Sequence, residues 1–399
     1  MSSSPAPTIS RGRQFRLPGL RWGPVLRGIG RVVLGVVIAL AIFVALGAVT
    51  RMQRASLPAV TGASPVGRTE LALTDASRVD PFATDGRNRE LAVWIWYPAM
   101  PGDQSATAPY FPAAWSQLPS SVPLGQDLSL ISTNAHANAA LAGRPPVVVL
   151  QPGLGQPVGN YSALAEDLAS HGYAVIGINE TGSADTVFPD GHVVGATPHG
   201  GVAEMNIDAW YASAGRVTDV WAADAAFVIH SLEAAPPPIG PLDFTRVAYL
   251  GHSLGGASAY QACSGEARCA AAVDLDGTLW TDVRHNGLAA PHLLLQEVPS
   301  DTCDTFCSRA TADFDTVMSN GSGHRFSIAG AIHQDFGDAG LMPAIADHVG
   351  LGSIDPQRLT VIVRDTVRAF LDAYMRAGSP ADFVATVSKY PELSVVASR

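Results

Sequence analysis

Ser253 stands in Gly251-His252-Ser253-Leu254-Gly255-Gly256, directly after the apolar run Val247-Ala-Tyr-Leu250 and directly before a stretch of small residues. The G-x-S-x-G pattern is common by chance, but its setting between a strand and a helix is what the sharp turn of a nucleophile elbow requires. Side chains at Gly251 or Gly255 would meet the backbone of the adjoining strand and helix. Such a turn pushes the serine out above the sheet edge, at the positive end of a helix dipole. The chemistry this allows is nucleophilic attack by a hydroxyl. A hydroxyl is a weak nucleophile near neutral pH, so a histidine must take its proton and a carboxylate must orient that histidine.

With an elbow of this kind the order along the chain is serine, acid, histidine. Of the 11 histidines, His285, His292, His324, His333 and His348 lie beyond Ser253. His333, in Gly330-Ala-Ile-His-Gln-Asp-Phe336, falls in a loop just past a late strand and is the candidate base. His292 and His324 border strands, and His348 reads as a helix-end residue. For the acid, Asp274 and Asp276 close the strand after the elbow helix, while Glu297, Asp301 and Asp304 follow the next strand. Strand alternation turns Asp274 and Asp276 to the same side, so spacing leaves the choice open. An oxyanion hole needs two backbone N–H groups aimed at the developing charge. Leu254, the residue after the nucleophile, is expected to supply one, and the glycine-rich turn Gln151-Pro-Gly-Leu-Gly155 after the early strand is expected to supply the other.

These groups need a frame, and the sequence provides one. Strands are predicted at 91–97, 147–150, 173–178, 246–250, 270–275, 292–295 and 326–329, with helices at 161–171, 216–233, 255–263, 310–318 and 356–377. Short apolar strands alternating with amphipathic helices imply a mostly parallel sheet with helices on both faces, and catalytic loops at the carboxyl ends of the strands. Joined to the elbow, this is the α/β-hydrolase fold. The irregular stretch 99–144 is long enough to be expected over a binding site, and 180–194 reads as an insertion placed to shape a pocket.

The front of the chain differs from the rest. Nine arginines and no acid precede Glu70, so residues 1–69 carry about +9 and the remainder about −19. A body that acidic would be repelled by phosphate backbones, which argues against nucleic acid as a partner. Val32 to Val49 is an 18-residue run without a charged or strongly polar side chain, long enough at about 1.5 Å per residue to reach across a bilayer's hydrocarbon. Six arginines precede it, which places the N-terminus in the cytoplasm and the body outside. The expected organisation is a basic cytoplasmic segment 1–31, a transmembrane anchor 32–50, a linker 51–68 and a catalytic domain 69–399, with secretion after signal cleavage as the alternative. Outside the cytoplasm, Cys263, Cys269, Cys303 and Cys307 suggest disulfides in one of three connectivities. Neither pair has metal-knuckle spacing, so no metal site is expected.

The motifs GHSLGG, LQPGLGQPVGNYSALAEDLASHGYAVIGI and GAIHQDF together resemble the platelet-activating factor acetylhydrolase family, in its monomeric α/β-hydrolase branch and bacterial relatives, through most of residues 65–375. In that family the acid lies in an L-D-[AG] motif, matched by Leu275-Asp276-Gly277, and the histidine in H-Q-[ND]-F, matched by His333-Gln334-Asp335-Phe336. The resemblance therefore implies a triad of Ser253, Asp276 and His333, with Asp301 as the reserve acid, and places Leu154 of the Gln151–Gly155 turn as the second oxyanion donor. Pro152 stands where mammalian members carry histidine, which weakens the match to phospholipid specificity. The implied activity is cofactor-free hydrolysis of short-acyl phospholipid esters through an acyl-enzyme, by a monomer acting on a lipid or small ester and held at the membrane by its N-terminal helix. The alternatives are a broader extracellular esterase or polyesterase, an acyltransferase using the same triad, and a catalytically dead tethered binding protein.

Overall fold

The computed structural model describes residues 22–118, 127–203, 206–299, 305–319, 322–342 and 350–398. Residues 1–49 and 50–399 form two separate units. The first contains most of helix α1 (Trp22–Arg51), whose Arg31–Val49 stretch is apolar and includes no buried residue. A bare apolar exterior of that length is suited to lipid or to a signal sequence.

The second unit is built on one ten-stranded sheet. In chain order its strands are β1 (Val66–Val79), β2 (Asn88–Pro98), β3 (Ala135–Ala137), β4 (Pro146–Gln151), β5 (Ala174–Asn179), β6 (Asp243–His252), β7 (Cys269–Leu275), β8 (His292–Glu297), β9 (Gly323–Ile328) and β10 (Leu393–Ser398). The spatial order is β10-β9-β8-β7-β6-β4-β5-β2-β1-β3. The six strands from β5 to β9 run parallel, while β2 joins β5, and β10 joins β9, in antiparallel pairing. The central strands are buried on both faces, which is why Val147-Val-Val-Leu150 reads as unbroken apolar sequence and not as alternation.

Helices α2 (Ser162–Ser170) and α6 (Pro356–Met375) cover one face through Leu164, Leu168, Ile362 and Phe370. Helices α3 (Ile207–Ala234), α4 (Leu254–Gly265) and α5 (Thr305–Met318) cover the other through Val228, Tyr260, Phe314 and Val317. The α/β-hydrolase fold class is thus as the sequence implied.

Three expectations differ from the structure. Residues 51–68 do not form a free linker from end to end. Ala55–Ser56 pair in parallel with Ile131–Ser132, Leu57 and Val66 are buried, and the Thr61 N–H donates to Asp167 Oδ1 at 2.8 Å. The small and Pro-rich composition serves a tight surface course, with scattered apolar residues as anchors. Among the described residues, the stretch 99–144 contributes none to the pocket described below: Phe111 and Trp115 pack against Trp94, with ring centroids 5.5 and 5.8 Å away, and so belong to the core of the opposite face. The insertion 180–194 forms a small hairpin, Thr186–Val187 with Val193–Val194, and contributes no residue to that pocket.

Cys263 is bonded to Cys269, tying the end of α4 to the start of β7, and Cys307 is disulfide-bonded as well; Cys303 lies outside the described residues. The first bridge closes a loop of sequence separation 6. Chain-entropy arguments give a loop of that size about 2 kcal/mol. Replacing both Cys263 and Cys269 with Ser should therefore lower the urea midpoint by a matching amount, read from equilibrium unfolding.

Candidate active site

Ser253 sits between β6 and α4 with φ +56° and ψ −122°, a conformation that L-residues rarely adopt. The surroundings enforce it. A Cβ on Gly251 would lie 2.1 Å from the Gly255 carbonyl oxygen, and one on Gly255 would lie 2.3 Å from the Pro152 carbonyl oxygen. Strand and helix can pass this closely only because both positions lack side chains. The Ser253 N–H is held by the Leu275 carbonyl at 2.9 Å, so the elbow is tied to the neighbouring strand.

The Ser253 hydroxyl lies 2.9 Å from His333 Nε2, and His333 Nδ1 lies 2.7 Å from Asp276 Oδ2. The other oxygen of Asp276 accepts the Glu297 backbone N–H at 2.7 Å. Both carboxylate oxygens are therefore engaged, and the face turned to His333 is fixed. Asp276, like Ser253, has positive φ, at +57°. Among the non-glycine residues with positive φ are thus two members of the relay, an arrangement typical of strain held at functional sites.

Asp274 and Asp276 do not point the same way. Alternation holds only while the strand continues, and β7 ends at Leu275; the left-handed step at Asp276 then turns its side chain toward His333. Asp274 stays within the strand and is wholly buried, and its Oδ1 accepts the Gly277 N–H at 2.7 Å. Desolvation, with the nearby charge of Asp276, pushes its pKa well above the ordinary carboxylate range. Asp301, Asp304 and His348 lie outside the described residues. His292 bonds through Nδ1 to the Ala290 carbonyl, and His324 packs on Phe383, so each is occupied at the start of its own strand, β8 and β9.

Desolvation alone would lower the His333 pKa, but the Asp276 hydrogen bond and charge, joined by the charge of Glu297, overcome it and raise the pKa above the ordinary imidazole value. Glu297 Oε2 also accepts the His333 backbone N–H at 3.0 Å, and its own pKa is raised by burial and by Asp276.

The N–H groups of Leu154 and Leu254 make no hydrogen bond among the described residues, and both leucines border the pocket that holds Ser253. That pocket is about 430 Å³ and is walled by Trp210, Trp280 and Phe306. Trp210 and Phe306 stack with centroids 4.6 Å apart at 6°. Arg325 and Gln296 also border it, joined by an Arg325 Nε to Gln296 Oε1 bond of 2.7 Å. A half-buried hydroxyl facing the pocket, an imidazole, an engaged carboxylate and two free N–H groups around one cavity can carry out acyl transfer.

The family model for "Platelet-activating factor acetylhydrolase, isoform II" matches residues 231–383, which hold the elbow, Asp276 and His333. A curated relative, a probable 1-alkyl-2-acetylglycerophosphocholine esterase of Arthroderma benhamiae, is 25% identical over 258 residues, covering 58% of this chain. The match spans 61% of that relative's length. Among solved structures, a ferulic acid esterase from Streptomyces cinnamoneus is 30% identical with a TM-score of 0.72, covering 86% of this chain and 100% of that one. The chain belongs to the α/β-hydrolase esterases, the family of that ferulic acid esterase.

Several residues around this esterase's site carry no sequence signal of their own. His252 and Tyr161 meet across 91 positions, with Tyr161 Oη 2.7 Å from His252 Nδ1. The pocket aromatics come from α3, α5 and the segment after β7. Trp210 lies in helix that begins at Ile207, nine residues before the predicted start at 216, because Asn206 caps it by accepting the Ala209 N–H at 2.9 Å. That capping asparagine was the available signal.

Proposed function

We propose that the protein hydrolyses carboxylic esters through an acyl-enzyme, with Ser253 as nucleophile, His333 as base and Asp276 as the orienting acid. The observation that carries this reading is the continuous relay of 2.9 and 2.7 Å from Ser253 through His333 to Asp276, opening on the 430 Å³ pocket. The Ser253 hydroxyl donates to His333 Nε2, and the Nδ1 proton is donated to Asp276. Attack on the ester carbonyl passes the serine proton to His333, and the new C–O⁻ is stabilised by the Leu154 and Leu254 N–H groups. His333 then protonates the departing alkoxide. Water, deprotonated by the same imidazole, attacks the acyl-enzyme and releases the acid. An intact relay with strain stored at two of its members argues for chemistry over a purely tethered binding role.

The substrate class favoured by the family match is a short-acyl phospholipid, presented by the membrane that α1 would anchor to. A second reading, esters of flat aromatic acids, is favoured by the stacked Trp210 and Phe306 with Trp280 beside them. A panel of acyl phospholipids and cinnamoyl-type esters decides between them. If kcat/KM for acetyl and butyryl phospholipids exceeds that for cinnamoyl-type esters tenfold or more, the first stands; the reverse ratio establishes the second. Acyl transfer is tested in the same assay by adding an alcohol acceptor: hydrolysis predicts that free acid remains the main product.

His333 must be neutral to act as base, so activity is lost as pH falls through its pKa. Since that pKa is raised, the acid limb of kcat/KM should lie above 6.5. Glu297→Gln removes one of the charges raising it, so the limb should move to lower pH. A limb unmoved by Glu297→Gln would remove Glu297 from this role.

The basic segment 1–31 is read as cytoplasmic, 32–50 as an uncleaved anchor and the hydrolase body as extracellular. Protease added to intact cells should then release the body; a mature N-terminus between residues 46 and 60 would establish a cleaved signal instead.

A further inference from the structure

Three turns have to be brought into register for the proposed chemistry: the 151–155 turn after β4, the elbow after β6 and the His333 loop after β9. A single side-chain relay touches all three. The Gly153 N–H donates to Tyr161 Oη at 3.0 Å, Tyr161 Oη lies 2.7 Å from His252 Nδ1, and His252 Nε2 lies 3.0 Å from the His333 carbonyl oxygen.

The directions along this relay are forced. A backbone N–H can only donate, so Tyr161 Oη accepts from Gly153 and its own proton is free for His252 Nδ1. A carbonyl can only accept, so His252 Nε2 carries the ring proton. His252 is therefore a neutral imidazole in one tautomer, with both nitrogens used, although it precedes the nucleophile in sequence and touches neither Ser253 Oγ nor Asp276. Burial and the neighbouring His333 push its pKa down to about 3, in keeping with that neutral form. Packing supports the same placement: the His252 ring lies 4.8 Å from the His333 ring and 6.0 Å from Phe336, centroid to centroid. Space is reserved for it too, since a Cβ on Gly153 would lie 2.9 Å from His252 Nδ1.

We propose that Tyr161 and His252 are positioning residues that lock the oxyanion turn to the base loop, fixing the Leu154 N–H relative to Ser253 and His333. The inference rests on the reading of Leu154 as an oxyanion donor. Holding the Gly153 amide fixes the orientation of the next peptide, which carries the Leu154 N–H. Holding the His333 carbonyl fixes the backbone from which the base projects. The polar contacts matter more than bulk, because a displacement of about 1 Å in such a site costs on the order of 10²-fold in rate.

Tyr161→Phe keeps the ring and deletes the hydroxyl that joins Gly153 to His252. It should lower kcat roughly 10- to 100-fold with KM changed less than about threefold. Affinity for a tetrahedral-state mimic such as a trifluoromethyl ketone should fall by the same factor as kcat/KM, while the midpoint of thermal unfolding stays near that of the parent. His252→Gln, which retains an acceptor and a donor, should keep more activity than His252→Leu, and Tyr161→Phe with His252→Leu should be no worse than the poorer single variant. Tyr161→Phe with kcat and mimic affinity both within about threefold of the parent would overturn the proposal, as would equal activity of the Gln and Leu variants or full additivity of the pair. Ser253→Ala serves as the reference. If it is inactive while Tyr161→Phe is unaffected, only the positioning role fails; if it remains active, the hydrolase reading itself fails.

Discussion

Ser253→Ala and His333→Ala should each lower kcat by roughly 10⁴- to 10⁶-fold, and the double variant should be no slower than the worse single one. In the proposed mechanism nucleophile and base act as a unit: without the imidazole the hydroxyl keeps its proton, and without the hydroxyl the imidazole has nothing to activate. The rate left over would come from binding and from the two N–H groups of Leu154 and Leu254. Neither change should unfold the protein. The constraint on the elbow lies in Gly251 and Gly255, whose missing side chains admit backbone at 2.1 and 2.3 Å, and alanine can adopt the Ser253 backbone at the same cost as serine. His333 is in a short 3₁₀ turn, His333–Phe336, and its side chain is 39% exposed, so its removal empties little of the core. The measurement is steady-state turnover with circular dichroism on the same samples. A fluorophosphonate should label the parent and fail to label Ser253→Ala. Turnover by Ser253→Ala within tenfold of the parent would remove this serine from the chemistry altogether.

The parts of the site that are legible in the sequence are those encoded by short contiguous patterns. The elbow is six residues with its own strand before and helix after, and the central strands announce themselves because burial on both faces leaves no polar alternation. The antiparallel margin is harder to read. β1 runs over 14 residues, Val66–Val79, but mixes Arg68, Glu70, Thr74 and Asp75 with apolar positions because much of one face meets solvent. Arg68 is nevertheless buried, paired with Glu70 at 3.0 Å and lying over the Trp94 ring at 4.5 Å, which no periodicity reveals. β10 escapes sequence reasoning for a related cause: Val395 and Val396 are exposed on an edge strand whose pairing partner, β9, lies some seventy positions earlier.

Buried polar groups show the same limit from another side. Arg89 is fully buried and reaches Asp224 at 2.7 Å and Asp80 at 3.2 Å, joining β2 to α3 across 135 positions in the first case. In the sequence it is one more charge in Asn88-Arg-Glu-Leu91, ahead of a run of aromatic residues. Removing one partner of such a pair leaves an uncompensated charge in a low dielectric, so its retention is understandable without any part in catalysis. Tyr161 and His252 follow the same logic nearer the site. Their sequence neighbours explain a helix start and an elbow, while their relationship to one another exists only once β4, β6 and β9 lie in order.

The acid is where sequence leaves the choice widest, and it gives the second large effect: Asp276→Asn should lower kcat by on the order of 10⁴-fold, while Asp274→Asn stays within about tenfold of the parent. Asparagine preserves size, so the comparison isolates charge and protonation. At position 276 the amide can no longer stabilise the imidazolium formed when His333 takes the serine proton, and an N–H₂ turned toward Nδ1 would favour the wrong tautomer. At position 274 little is lost electrostatically, because burial already disfavours the charged form of that carboxyl and its one hydrogen bond, 2.7 Å from the Gly277 N–H, goes to an oxygen that asparagine also has. Space is tight there, since a Cβ on Gly256 would come within 1.8 Å of the Asp274 carboxylate, so an isosteric replacement is the one that leaves the fold intact. Asp301→Asn should also remain within about tenfold, because the carboxylate needed by His333 Nδ1 is supplied at 2.7 Å by Asp276. A crippled Asp301→Asn beside an active Asp276→Asn would move the acid to the segment after β8 and leave the left-handed turn at Asp276 without a catalytic role.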